Sequence, residues 1–218
     1  GLDFDNTIAC YDTAIAVLAE ELFDLPPEVP RTKLGVRDHL RATGREPEWT
    51  AFQGALYGPG MVHAQPFDGA IETMQALVGQ GHQLVIVSHR SRRPYAGPPH
   101  DLHAAARGWV ADRLQSQGLF VDELAEIPGR SSVHFLETRE AKVAMITELA
   151  FNVFVDDLPE VLRLLVFQIQ RLASFTHPVL ENPVRPAVAY AFRLGGSCPR
   201  RRRPGVIGRK KKSASGCF

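Results

Sequence analysis

Two continuous apolar runs predict buried strands, and each run ends in polar side chains. Residues 83–88 read Gln-Leu-Val-Ile-Val-Ser, and residues 152–157 read Asn-Val-Phe-Val-Asp-Asp. Runs of this kind are typical of parallel strands that are covered on both faces. A shorter run at 133–136 predicts a third strand. Ligands in open α/β sheets gather at the carboxyl ends of the strands, so Ser88, Asp156 and Asp157 are candidate site residues.

Helical patterns occupy much of the remaining chain. The apolar spacing becomes that of amphipathic helices at 12–24, 32–43, 46–57, 67–81, 102–117 and 138–149. Pro26 and Pro27 stop the first helix, Gly81 ends the fourth, and Asp101 caps the fifth. No strand pattern interrupts residues 12–62. A helical insertion in this position predicts a lid over a site.

The first residues, Gly-Leu-Asp-Phe-Asp-Asn-Thr-Ile, carry the strongest candidate chemistry. In an extended segment residues i and i+2 face the same way, so Asp3 and Asp5 are expected to point at one place. Two carboxylates this close favour a hard divalent cation such as Mg²⁺. The alternative is a solvated turn in which Asn6 or Thr7 caps the following helix.

Four short motifs follow one another along the chain in a recognisable order. They are D-x-D-x-T at 3–7, Ser88 at a strand end, Lys142 on a helix, and Asp156-Asp157 at a strand end. Together they resemble the motifs of the haloacid dehalogenase-like (HAD) hydrolase superfamily, over about residues 1–162. The resemblance implies an α/β fold with a three-layer, Rossmann-like core and a mostly parallel sheet. The core would comprise 1–11 and 63–162, and residues 12–62 would form a small helical cap inserted after the first strand.

The resemblance also implies a role for each matching residue. Asp3 matches the nucleophile that forms an aspartyl-phosphate, and Asp5 matches the general acid/base. Ser88 matches the hydroxyl that binds a phosphoryl oxygen, and Lys142 matches the cation that neutralises developing charge. A lysine on a helix is more often solvated, which is the alternative for Lys142. The expected Mg²⁺ ligands are Asp3, Asp5 through its carbonyl, Asp156 and Asp157.

The acid at position 5 points, within this resemblance, to phosphoester hydrolysis. The expected enzyme is therefore a Mg²⁺-dependent phosphatase acting on a small phosphorylated metabolite. A phosphotransferase or mutase is the alternative within enzymology.

The loop at 88–103 is dense in prolines and hydrogen-bond donors. Asn6, His89 and Arg90 are the expected substrate-binding residues, and we expect the site mouth to be lined by His89, Arg90, Arg92, Arg93 and Tyr95. The arginines would grip an anionic leaving group. A solvated basic loop is the alternative.

Charge divides the chain into two unlike parts. Residues 1–162 carry 13 Lys/Arg and 23 Asp/Glu, whereas 163–218 carry 12 Lys/Arg and only one acid, Glu181. The basic clusters 200–203 and 210–212 allow a tail that binds nucleic acid or an anionic surface. The alternative to an enzyme is therefore a non-catalytic protein whose basic tail does this binding. The absence of interleaved aromatic residues makes nucleic acid an unlikely partner. A genuine disordered tail and a region translated out of frame are the other interpretations, and no last strand is evident.

Three remaining features concern the compartment, the solubility and the first strand of the protein. Cys10, Cys198 and Cys217 are odd in number and show no metal spacing, which favours a reducing compartment. No apolar run is long enough to span a membrane, so we expect a soluble, cytoplasmic protein. Only Gly1 and Leu2 precede Asp3, so we expect a first strand that is short and unsupported, with the native start missing.

Overall fold

The computed structural model describes residues 1–121 and 132–165, and the backbone of 187–190. It is a mixed α and β structure with a small parallel sheet. Within the described part of the chain, no helix is both long and apolar enough to cross a membrane. The elements in chain order are β1 (Ala9–Cys10), α1 (Asp12–Leu22), α2 (Lys33–Ala42), α3 (Glu46–Tyr57), β2 (Gln65–Pro66), α4 (Ala70–Gly79), β3 (Ile86–His89), α5 (Leu102–Arg113), β4 (Val133–Leu136), α6 (Arg139–Leu149), β5 (Val153–Asp156) and β6 (Ala187–Tyr190).

The parallel sheet is organised around the first three residues. Strands β3 and β4 pair in parallel, as do β5 and β6. Leu2 bridges both pairs, to Ile86 of β3 and to Val155 of β5. The sheet order is therefore β4, β3, N-terminal segment, β5, β6.

The N-terminal segment is short, as expected, but it is supported on both sides. Leu2 N–H donates to Val85 C=O at 2.8 Å, and Leu2 C=O accepts from Val87 N–H at 2.9 Å. On the other side, Asp3 N–H donates to Val155 C=O at 2.8 Å. The expectation of an unsupported strand is wrong, because flanking strands supply the hydrogen bonds that its length cannot.

Three helices fill the segment between the first strand and the rest of the core, as the apolar spacing predicts. The predicted helix at 46–57 matches α3 to the residue. Helix α2 begins after Thr32, whose side chain accepts a hydrogen bond from Gly35 N–H at 3.1 Å. The two-residue strands β1 and β2, which the sequence analysis did not predict, pair antiparallel. Their pairing brings the residues just before the helical segment next to the residues just after it.

Several element boundaries differ from the predicted ones for local backbone reasons. Helix α4 begins at Ala70 rather than at 67, because Gly69 precedes it with φ at +78°. Helix α5 is capped by Asp101 as predicted, but it ends at Arg113 and a 3₁₀ turn at Gln115–Gln117 follows. Strand β3 begins at Ile86, where its ladder with β4 starts, rather than at 83.

The basic C-terminal part lies almost wholly outside the described residues. The exceptions are residues 163–165 and the backbone of β6, which pairs in parallel with β5 from Val153↔Ala187 to Asp156↔Tyr190. The sequence analysis found no last strand, and β6 corrects that interpretation. The clusters at 200–203 and 210–212 are outside the described residues.

The core beneath the sheet is built around an aromatic group centred on Phe4. Phe4 is fully buried, and its ring meets the edges of Trp109 and Phe135 at centroid distances of 5.2 and 5.3 Å. Such edge contacts add to the area that burial removes from water. Phe4 lies between Asp3 and Asp5, so the same packing positions both carboxylates.

Replacing Phe4 with alanine is expected to lower the free energy of unfolding by about 3–5 kcal/mol, because it opens a cavity in this group. Urea denaturation of Phe4→Ala measures the loss. Leu22→Ala is the control, since Leu22 is 52% exposed. Equal losses in the two variants would contradict the central place given to Phe4.

Candidate active site

Lys142 joins the N-terminal segment to β5 through two buried ion pairs. Its Nζ lies 2.6 Å from Asp3 Oδ1 and 2.6 Å from Asp156 Oδ2. The lysine side chain is fully buried, and both aspartates are at most 3% exposed. Helix α6 delivers the lysine from its first turn, where Thr138 caps the helix by accepting from Ala141 N–H at 3.1 Å. The structure thus brings Lys142 together with Asp3, and the alternative of a solvated lysine is wrong.

The two acids that end β5 are held differently. Asp156 uses Oδ1 to accept from Leu158 N–H at 2.9 Å, while its Oδ2 meets Lys142. Asp157 is only partly buried, and the Asn6 side chain donates a hydrogen bond to it. Asn6 itself has φ at +56°, a left-handed conformation that asparagine tolerates better than most residues. Both oxygens of Asp156 thus have protein partners.

Three carboxylates converge at this edge of the sheet. Asp3, Asp156 and Asp157 each offer an oxygen within 4.8 Å of the other two. Burial, opposed by the charge of Lys142, raises the pKa of Asp3 to about 7. Burial and the neighbouring Asp156 raise the pKa of Asp157 to about 6. One ammonium does not offset three acids, and hard oxygen donors suit Mg²⁺, so the residues fit the expected ion.

Asp5 is partly buried and belongs to a second network of polar side chains. Its carboxylate forms an ion pair with Arg90 and accepts a hydrogen bond from the Tyr11 hydroxyl. Arg90 also donates to that hydroxyl at 2.6 Å. Burial lowers the pKa of Arg90, but the Asp5 carboxylate together with Tyr11 and Tyr57 raises that pKa above its ordinary value. Asp5 is therefore held on two sides.

Arg90 does not extend from the mouth of the site as expected. It is 5% exposed, and besides Asp5 it donates to the carbonyls of Leu102 at 3.3 Å and Tyr57 at 3.5 Å. Its guanidinium lies 5.4 Å from the Phe4 ring centroid. These contacts occupy the donors that were expected to grip a leaving group, so in this structure Arg90 orders Asp5 and the surrounding loops.

A cavity of about 300 Å³ contains most of the predicted site residues. The predicted residues that line it are Asp3, Asp5, Asn6, Ser88, His89, Arg90, Tyr95 and Asp157. Ser88 is 1% exposed at the end of β3, as the apolar run predicts. Burial and the charge of Lys142 lower the pKa of His89. Tyr95 is 90% exposed. Arg92 and Arg93 are not among the cavity residues.

The helical segment contributes residues that the sequence analysis did not identify. Lys33, Thr50, Gln53 and Tyr57 line the cavity, and Tyr11 contacts Asp5. The sequence predicted only that residues 12–62 form a helical lid over a site. Nothing in the local pattern separates these side chains from ordinary helix-surface residues.

Comparison with known proteins gives no relative for this chain. No protein-family model, no curated protein and no solved structure matches it.

The raised pKa of Asp3 predicts a characteristic pH dependence of stability in the absence of metal. Between pH 4 and 7 the folded protein keeps a proton that the unfolded chain releases, so stability falls as pH rises. We expect wild type to lose stability relative to Asp3→Asn across this window, with a slope of at most about 1.4 kcal/mol per pH unit. Denaturation in a chelator at several pH values measures the difference. Parallel curves would contradict the raised pKa.

Removing the Arg90 side chain is expected to cost about 3–5 kcal/mol, because Asp5 would be left without its buried counter-charge. Arg90→Met and the double variant Asp5→Asn/Arg90→Met test this by urea denaturation, and we expect the double variant to lose less than the sum of the single ones. The control is Arg92→Met, since the Arg92 side chain is 63% exposed where it meets Asp101. Its loss is expected to stay below about 1 kcal/mol. Additive losses would show that Arg90 and Asp5 are not coupled.

Proposed function

We propose that this protein is a Mg²⁺-dependent phosphomonoester hydrolase that acts through an aspartyl-phosphate on Asp3. The observation that carries the proposal is the placement of Lys142 at 2.6 Å from both Asp3 and Asp156, at the carboxyl edge of a parallel sheet. Asp157 and Ser88 line the same site. This clustering of the four motifs supports the proposal.

The two carboxylate oxygens of Asp3 have different partners. Oδ1 is bound by Lys142, whereas Oδ2 lies 3.5 Å from the Thr7 hydroxyl. We assign Oδ2 to the attack on phosphorus, which forms the Asp3–phosphoryl bond as the bond to the leaving oxygen breaks. Lys142 and the Ser88 hydroxyl would neutralise and bind the phosphoryl oxygens.

Asp5 is assigned the proton transfers. In its protonated form Asp5 would give a proton to the leaving oxygen in the first step, which leaves it as a carboxylate. In the second step it would accept a proton from the water that attacks the phosphoryl group, which releases phosphate and restores Asp3. Arg90 and Tyr11 hold the Asp5 carboxylate in place for both transfers.

The proposed ion would be held by Asp3, Asp156, Asp157 and the Asp5 carbonyl. When bound, Mg²⁺ supplies positive charge that offsets the repulsion between the nucleophile and the phosphoryl group. The clustering of three acids around a single ammonium supports this assignment.

The proposed architecture is a three-layer HAD core with the segment 12–62 as its cap. The parallel order of the sheet supports the core, and the β1–β2 pair at the base of the helical segment supports the cap. The cavity is lined from both parts. A phosphotransferase would use the same Asp3 chemistry and differ only in the acceptor of the phosphoryl group.

Hydrolysis of phenyl phosphate is expected to require both Mg²⁺ and Asp3. Asp3→Asn should lower kcat by at least about a thousandfold, because the substitution removes the nucleophile. Phosphate release with Mg²⁺ and with chelator measures the activity, and Asp24→Asn is the control at an exposed position. Phosphorylated glycerol, when glycerol is added as acceptor, would indicate transfer. Undiminished activity in Asp3→Asn would overturn the mechanism.

Binding of Mg²⁺ itself is testable without turnover. We expect Mg²⁺ to raise the thermal midpoint of wild type at pH 7 and to do so much less in Asp157→Asn, since a ligand stabilises only the state that binds it. Differential scanning calorimetry measures the shift. Asp24→Asn is the control, and we expect it to keep the full rise in the thermal midpoint. An equal rise in Asp157→Asn would show that the ion binds elsewhere.

A further inference from the structure

The cavity is lined by polar side chains of the helical segment as well as by the carboxylates of the candidate site. Lys33 enters from the start of α2, and Thr50, Gln53 and Tyr57 enter from α3. Lys33 Nζ donates to the Tyr57 hydroxyl at 3.1 Å and lies 5.8 Å from its ring centroid. Asp3 and Asp157 line the same cavity. The lining therefore combines carboxylates from the sheet edge with an ammonium from the helical segment.

Lys33 differs from the other cations of its helical segment in having no carboxylate partner among the described residues. Arg37, Arg41 and Arg45 each pair with a neighbouring acid, at 2.8, 2.5 and 2.6 Å respectively. Lys33 is partly buried, and its hydrogen bond is to a neutral hydroxyl. An ammonium has three donors, so this contact leaves both donor capacity and a full charge unmatched in a partly desolvated place.

A purely structural role explains Lys33 poorly. It occupies the first position of α2, where the helix dipole disfavours a cation, and that turn contains no acidic residue to compensate. The contact with Tyr57 needs only a neutral donor. A ligand that brings a negative charge accounts for the lysine better than the fold does.

Tyr57 connects Lys33 to the chemistry. Its hydroxyl accepts from Lys33, and the Arg90 guanidinium that pairs with Asp5 lies 5.3 Å from its ring centroid. A group bound at Lys33 would therefore lie across Tyr57 from Asp5. A cavity of about 300 Å³ limits the molecule that reaches both Lys33 and the carboxylates to a small one.

We propose that Lys33, with the Tyr57 hydroxyl and Gln53, forms a subsite for a second anionic group on the substrate. The substrate class is a small phosphomonoester whose alcohol part carries a carboxylate or a further phosphate. This inference rests on the proposed function, since it assumes that the phosphoryl group to be removed binds at Asp3. Recognition is by a charge-assisted hydrogen bond, which a neutral substituent of the same shape does not form.

The test compares two aryl phosphates of nearly equal shape, 4-carboxyphenyl phosphate and 4-carbamoylphenyl phosphate. For the wild-type chain with Mg²⁺, we expect kcat/KM to favour the carboxylate about 10- to 100-fold. In Lys33→Met the ratio should fall to about one, and in Lys33→Arg most of the preference should remain. Arg37→Met, on the same helix and outside the cavity, should keep the wild-type ratio. A wild-type ratio near one, or a preference that survives in Lys33→Met, overturns the subsite.

Binding separates this inference from the proposed function. Titration calorimetry with the non-hydrolysable 4-carboxyphenylphosphonate and its carbamoyl counterpart measures the same preference without turnover. If neither ester is hydrolysed but the carboxylate binds more tightly and Lys33→Met removes the difference, the subsite stands and the hydrolase proposal fails. If both esters are hydrolysed equally and both phosphonates bind equally, the hydrolase proposal stands and the subsite fails. Equal binding with no hydrolysis overturns both.

Discussion

The burial of Lys142 between two aspartates is the constraint on which the rest of the site depends. Removing an ammonium and two carboxylates from water is costly, and the cost is offset only where the groups meet at hydrogen-bonding distance. Here Asp3 and Asp156 meet Lys142 at 2.6 Å because the N-terminal segment and β5 are neighbours in the sheet. Helix α6 must then start where its first turn faces that edge. The charged cluster therefore requires this order of the sheet and this register of helix α6. Its carboxylates outnumber its ammonium, and such an excess of acid suits a divalent cation.

A second ion pair, between the buried Arg90 and the partly buried Asp5, links this cluster to the helical segment. Arg90 contacts the Tyr11 hydroxyl just before α1 and the Tyr57 carbonyl at the end of α3. The ends of the helical segment are thus tied to the carboxylate beside Asp3. The β1–β2 pair reinforces the same junction. Any movement of the helical segment relative to the sheet would act first on these contacts, so the position of Asp5 and the shape of the cavity are physically coupled.

The sequence analysis succeeded where local physics decides the outcome. Apolar spacing predicted α3 to the residue, and Asp101 caps α5 as predicted. It failed where a distant partner decides. Arg90 was expected at the site mouth, where it would grip an anionic leaving group, yet it is buried and pairs with the Asp5 carboxylate. Strands β1 and β2 are too short to leave any periodic pattern, and only their pairing defines them.

The sequence by itself determined the six longer helices, the strands β3, β4 and β5 with Ser88 and Asp156 at or near the ends of β3 and β5, and the resemblance that named Asp3, Asp5 and Lys142 as candidates. Those features depend on side-chain periodicity and on local hydrogen bonds, which act within a few residues. Only the tertiary structure decided that Lys142 contacts both aspartates, that Arg90 is buried, and that Lys33 faces the same cavity as Asp3. Charged side chains far apart in sequence carry no local sign of their partners. Their positions follow from desolvation, which acts only once the surrounding elements have packed.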